Sequence, residues 1–178
     1  MDAADVLRFW FEEIAPPQWW RRDPVFDQTV RSRFADLHEA AGRAELWSWR
    51  ETAPGRLAEI IVLDQFSRNI HRDDARAFAC DALALGLAQE AVRVGADLEI
   101  AAERRAFIYM PYMHSESRLI HATAAELFRE RAPANLDYEL RHRAIIDRFG
   151  RFPHRNAVLG RASTPEELAF LAQPGSSF

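Results

Sequence analysis

Residues 149–161, FGRFPHRNAVLGR, place Arg151, Arg155 and Arg161 beside His154 and Asn156 in a stretch that also holds two phenylalanines, a proline and two glycines. Guanidinium groups in so apolar a context do not read as a solvated tail. They need acceptors, and a phosphate or carboxylate matches their planar fork of donors. From Arg141 to Arg161 there are six arginines with only Asp147 to oppose them. That spacing predicts more donors than internal acceptors, and hence a cavity suited to a small anion.

A second polar cluster lies at 64–72, DQFSRNIHR. Asp64 interrupts the apolar run EIIVLDQF, so its carboxylate is expected inside the protein, where it requires a partner to offset lost hydration. Arg68 stands at i+4, within reach on a helix, and Asn69 follows it. Two readings stand side by side: an internal carboxylate–guanidinium network that fixes helix packing, or a donor-rich site in which Asp64, Arg68, Asn69, Arg151, His154, Arg155 and Asn156 surround a ligand.

The third candidate is YMPYMHSES, residues 109–117. Pro111 is expected to end or kink one helix and Ser115 or Ser117 to cap the next. His114 and Glu116 would then lie near a helix N-terminus, where backbone donors favour anions. His114, or alternatively His154, has the chemistry of a general acid or base, with Asp64 or Glu116 as its support; a histidine between apolar residues is more often a satisfied core group. A Ser115–His114–Asp64 hydrolase lacks the GxSxG elbow. The six histidines are scattered, and neither HExxH nor a cysteine pair occurs, so no metal or other cofactor is expected. Cys80, in FACDALA, reads as a small core filler.

The elements that must position these residues are helices. Asp2 or Asp5 can cap an amphipathic segment running to Glu13, and Asp23-Pro24 opens a helix that runs to Gly42. A short helical turn follows around Glu45 to Trp49. Pro54 begins a segment, GRLAEIIVLDQFSRN, that is apolar nearly all round and so reads as a central buried helix. Asp81 is expected to cap a helix stopped by Gly95, and further helices are expected over 99–110, 117–131 and 136–149. Thr164, Pro165 and Glu167 form the capping pattern of a last one. No stretch alternates with period two for long enough to make a strand, and most connections are short. The expected architecture is therefore all-α, a single domain over 1–178 of stacked antiparallel helix pairs. The segments 68–80 and 150–163 are long for helix connections, and long structured loops tend to carry function.

Composition narrows the function. The chain has 178 residues, of which 48% are hydrophobic, enough for one well-buried core. A net charge of −4 argues against a nonspecific nucleic-acid binder. No apolar run approaches the ~20 residues that span a bilayer, and the acidic start MDAADVLRFWFEE is unlike a secretory leader. With a lone cysteine, a cytoplasmic protein is expected. All 23 basic residues are arginine, so lysine-dependent pyridoxal and P-loop chemistry is excluded. The five tryptophans, Trp10, Trp19, Trp20, Trp47 and Trp49, fall early and suit contacts between the first helices or a homodimer face.

Taken together, VLRFWFEE, WWRRDPVFDQTVRSRF, GRLAEIIVLDQFSRNIHR, YMPYMHSE and the block from Arg141 to Phe178 resemble the bacterial family known as domain of unknown function 924. The resemblance covers essentially the whole chain. It implies a tetratricopeptide-like stack of helix pairs, an α–α superhelix, and implies no activity. Three function classes follow. The leading one is a small-molecule protein holding an anionic ligand. Second is a tetratricopeptide-like scaffold with a groove for a protein partner, and third an enzyme using His114 or His154 as acid or base.

Overall fold

Asp2 begins the first helix by accepting the Asp5 N–H at 2.9 Å while its own N–H donates to the Asp5 carboxylate at 3.0 Å. This closes a reciprocal cap on α1, Ala3–Arg8, which runs on as a π-helical turn over Phe9–Glu13. The computed structural model describes residues 1–176; Ser177 and Phe178, the end of the domain expected over 1–178, lie outside the described residues. Helix α2, Pro24–Gly42, starts where Asp23 accepts the N–H groups of Val25 and Phe26, with proline at the first helical position. Thr52 caps α3, Ala53–Ile61. It continues through a π-helical turn, Val62–Phe66, into α4, Ser67–Ile70.

The remaining helices are α5, Asp81–Arg93; α6, Ala102–Met113; α7, Arg118–Arg131; α8, Leu136–Phe149; and α9, Pro165–Leu171. Thr164 and Glu167 form the expected capping box on α9. The fold is all-helical, with no strand among the described residues.

The apolar run around Asp64 dictates the centre of the molecule. Leu57, Ile60, Ile61, Leu63 and Phe66 are each at most 1% exposed, and α3 packs against α1, α5 and α6. Phe66 meets Phe34 of α2 at 4.7 Å between ring centres, and Phe34 meets Phe9 at 4.8 Å, so one aromatic cluster ties three elements together. Trp10, Trp19 and Trp20 extend this cluster toward Phe107, whereas Trp47 is exposed. A smaller cluster, Ile145, Ile146 and Phe152 with Phe149 and Phe170, anchors the 149–161 segment to α8 and α9.

Four expectations need correction. Pro111 does not end α6: the helix continues to Met113. Residues 106–113 are all buried, and that packing outweighs the hydrogen bond a proline removes. Consequently His114 is the C-terminal cap of α6, three residues before Ser117 at the start of α7. Ser117 precedes α7 without a side-chain capping bond. Asp81 is the first residue of α5, with Cys80 in the cap position, because its carboxylate is engaged elsewhere. Finally, the segment after Arg68 is shorter as a loop than expected, since α4 extends to Ile70 and a 3-10 turn spans Ala75–Phe78.

Two glycines should respond oppositely to alanine. Gly150 ends α8 at φ +70° and sets the direction of the 151–161 segment; Gly86 lies inside α5 with nothing within 4 Å of an added Cβ. In urea unfolding, Gly150→Ala is expected to destabilise by about 1 kcal/mol and Gly86→Ala to stabilise by about 0.5–1 kcal/mol.

Candidate functional site

The π-helical turn Val62–Phe66 carries Asp64 into the interior, where it is 1% exposed. Such turns insert one residue into the helical register and re-aim side chains, and they recur at functional positions. Three donors meet the carboxylate. His114 Nδ1 lies 2.7 Å from Oδ1, Arg68 Nη1 3.2 Å from the same oxygen, and Gln65 Nε2 donates to Oδ2 at 2.6 Å. Burial pushes the Asp64 carboxyl upward, but Arg68 and His114 hold it below the usual carboxylate range. It is therefore ionised.

From Arg68 the network continues. Its guanidinium donates to both oxygens of Asp81 at 3.0 and 3.1 Å and to the Asp64 carbonyl at 2.8 Å. Asp81 also accepts from Arg155 Nη1 at 3.2 Å, and Arg155 Nη2 donates to the His114 carbonyl at 3.0 Å. A ring is closed: Asp64, Arg68, Asp81, Arg155, His114. Two phenylalanines line it, with the Arg155 guanidinium 4.5 Å from the Phe78 ring centre and 4.6 Å from that of Phe152. Arg155 is itself 6% exposed and its Nε has no acceptor among the described residues. Burial, with Arg68 nearby, lowers its pKa to about 10, which still leaves it protonated at neutral pH.

The state of His114 follows from this frame. Desolvation and the Arg68 charge depress its pKa despite the raising effect of Asp64, so the ring is neutral near pH 7. A carboxylate only accepts, which assigns the ring proton to Nδ1 and the lone pair to Nε2. The side chain is 15% exposed, and its backbone is held on both sides. Arg155 takes its carbonyl, and the next carbonyl, that of Ser115, accepts from His121 Nε2 at 2.8 Å. His121 in turn faces Glu139 at 2.8 Å, both fully buried. Glu116, one residue further, accepts the Phe152 N–H at 2.7 Å and pairs with both terminal nitrogens of Arg161 at 2.6 and 2.9 Å. Burial would raise the Glu116 carboxyl, yet Arg161 and the Phe152 N–H lower it.

The structure therefore brings Asp64, Arg68, His114 and Arg155 together, with His154 alongside, its pKa lowered by burial and Arg155 to about 4. Glu116 lies behind them, oriented toward Arg161 and not toward His114. Three expected members are elsewhere. Asn69 donates to Asp27 at 2.8 Å on the α2 side of α4. Arg151 pairs with Glu167, and Asn156 donates to Ser163 and Glu167.

The expected donor excess is also corrected. Each of the six arginines from 141 to 161 faces a carboxylate: Asp137, Asp147, Glu166, Glu167, Asp81 and Glu116 in chain order. Five of those acids lie outside the 141–161 stretch, so counting charges along the local sequence missed them. Asp81, Phe78, His121 and Glu139 were not anticipated as members of a site. Nothing in their spacing signals a site, because they come from four separate segments.

A family model described as a bacterial protein of unknown function (DUF924) matches residues 6–175. Among solved structures, a protein of unknown function from Agrobacterium tumefaciens is 41% identical, covers 96% of each chain and superposes with a TM-score of 0.91. No curated protein matches.

Two outcomes are expected from the geometry. Asp81→Asn leaves Arg68 and Arg155 facing each other without their shared counter-charge, and should destabilise by about 3 kcal/mol in chemical unfolding. Acidification should also destabilise. Burial lowers His142 to about 3 and His38 and His154 to about 4, from 6.5, and His114 moves the same way. Between those values and pH 6.5 the unfolded chain binds more protons, so stability falls as pH drops, by up to ~1.4 kcal/mol per unit for each group. Glu139, raised by burial, opposes this as a single group. Unfolding free energies at pH 7.5, 6 and 5 should decrease in that order; a flat or rising series contradicts the assignment.

Proposed function

The chain belongs to DUF924, a family of bacterial proteins described as of unknown function, and from its own residues we propose acid–base chemistry on a small molecule, with His114 as the base. The observation that carries this is the 2.7 Å contact between His114 Nδ1 and a buried, ionised Asp64. That contact supports a tautomer in which Nε2 has its lone pair available at neutral pH. A base must be unprotonated, oriented and reachable; the depressed pKa, the clamped backbone and the partial exposure of the ring support each requirement in turn. Asp64 acts as the orienting group, in the role a buried carboxylate plays behind a catalytic imidazole. Arg68 and Arg155, balanced in charge by Asp64 and Asp81, place guanidinium donors beside the imidazole, which suits a substrate with a phosphate or carboxylate group.

A reading as a purely anion-binding protein retains support from one feature. The Arg155 Nε has no acceptor among the described residues and burial lowers the guanidinium to about 10, so one buried donor of this cation is left for a ligand. The paired arginines make it the second reading. For a scaffold, the exposed large apolar residues are spread over many elements, among them Val25 on α2, Leu119 on α7, Tyr138 and Leu140 on α8 and Leu168 on α9, which gives a groove for a protein partner little support. No helix is long and apolar enough to cross a membrane; a cytoplasmic setting remains part of the proposal, supported by the single cysteine, Cys80.

A panel of small carboxylic and phosphoric esters tests the proposal. Wild type is expected to turn over at least one class, with His114→Gln and Asp64→Asn each slowing it by roughly 10²-fold or more. Unchanged rates in both variants, with folding retained, would exclude His114 as the base. Turnover by neither wild type nor variants, together with saturable phosphate or carboxylate binding that Arg155→Gln abolishes, would shift the assignment to the anion-binding reading.

A further inference from the structure

A separate cleft of about 230 Å³ opens between the start of α2 and the turn that follows α4. Three arginines from three segments line it: Arg22 ahead of α2, Arg31 on α2 and Arg72 after α4, with the amides of Gln28 and Asn69 between them. Their compensation is unequal. Arg72 is locked on Asp27 through two nitrogens, and Asn69 donates to the same carboxylate at 2.8 Å. Arg31 donates to a neutral acceptor, the Ile70 carbonyl. Arg22 is paired with Asp73, but both side chains are about two-thirds exposed, at 66% and 63%. An exposed pair of this kind is weak and opens readily.

We propose that this cleft is a binding site for a phosphate-type dianion, with Asp73 as an internal counter-ion that the ligand displaces. Charge balance selects the ligand class. With Asp73 in place, three guanidinium groups face two carboxylates; with Asp73 turned out to water, Asp27 alone remains and a charge of +2 is left, which one dianionic phosphate monoester neutralises. Asp73 lies in the turn after α4 with a left-handed backbone, φ +62°, and its carboxylate lines the cleft and meets Arg22 there. The ring around His114 takes no part, because Asn69 and Arg72 face Asp27 on the α2 side while Arg68 faces Asp64 and Asp81. The proposal is thus independent of the chemistry assigned to His114.

Titration of the full chain with inorganic phosphate and with glycerol phosphate, followed by calorimetry and by backbone amide shifts at residues 22–31 and 69–73, tests it. Saturable binding at those residues is expected, weakened about tenfold or more in Arg31→Gln, whose lost contact is a charge-assisted one. Asp73→Asn is expected to tighten binding about three- to fivefold, since it removes the competing carboxylate. Affinity should fall steeply with added salt. Three results would overturn the proposal: no saturation with folded protein, equal affinity for chloride and phosphate, or an Asp73→Asn variant that binds phosphate more weakly than wild type. Arg31 is exposed, so its substitution leaves the fold as a fair control, checked by the unfolding midpoint.

Discussion

One ionised carboxylate inside the central helix organises this protein. Asp64 is taken out of water by the most apolar segment of the chain, and an uncompensated charge there would cost several kcal/mol. Its neighbours are what that cost requires. Arg68 comes from the same helix one turn on, Gln65 from the adjacent position, and His114 from the end of α6. Arg68 then needs a second acceptor, found in Asp81, and Asp81 draws in Arg155. The 149–161 segment folds back over the core for this reason as well as for the burial of Phe152.

The ring that results is balanced in charge. Two carboxylates face two guanidinium groups, and a neutral imidazole completes it. Balance has a functional corollary. A site with a large uncompensated positive charge would hold a resident anion tightly and would favour ionisation of whatever acid it met. This one depresses the pKa of its histidine chiefly by burial, and keeps Nε2 unprotonated beside two arginines. The same arrangement explains why His114 is clamped through its carbonyl and through that of Ser115: a base whose backbone wandered would lose the 2.7 Å contact that sets its tautomer.

Much of the fold was legible because its signals are local. Asp23-Pro24, Thr164 with Glu167 and the glycine at 150 mark helix ends through capping chemistry that acts over three or four residues. The central helix announced itself by being apolar on all faces. Pro111 misled because tertiary burial overrides a local penalty, and the π-helical turn at Asp64 has no sequence signal. For the site, Asp64, Arg68, His114 and Arg155 were identifiable as polar groups in apolar surroundings that had to find partners. Their partners were not identifiable. Asp81, Glu116 and Glu167 are brought to their arginines by the packing of helices far apart in sequence, so an apparent surplus of arginine dissolved once the chain was folded. Asn69 shows the same limit in reverse. It is one residue from Arg68, yet it faces the opposite side of its helix and serves a different carboxylate.

The account rests on the protonation state of one imidazole, which nitrogen-15 spectroscopy of the histidine rings reads directly. At pH 7 and in the folded protein, His114 should show a proton on Nδ1 and a bare Nε2, titrating below the 6.5 of an unperturbed histidine. In Asp64→Asn the preference for that tautomer should be lost. A ring that is doubly protonated at pH 7, or that carries its single proton on Nε2, would contradict the claim that Asp64 holds His114 ready as a base.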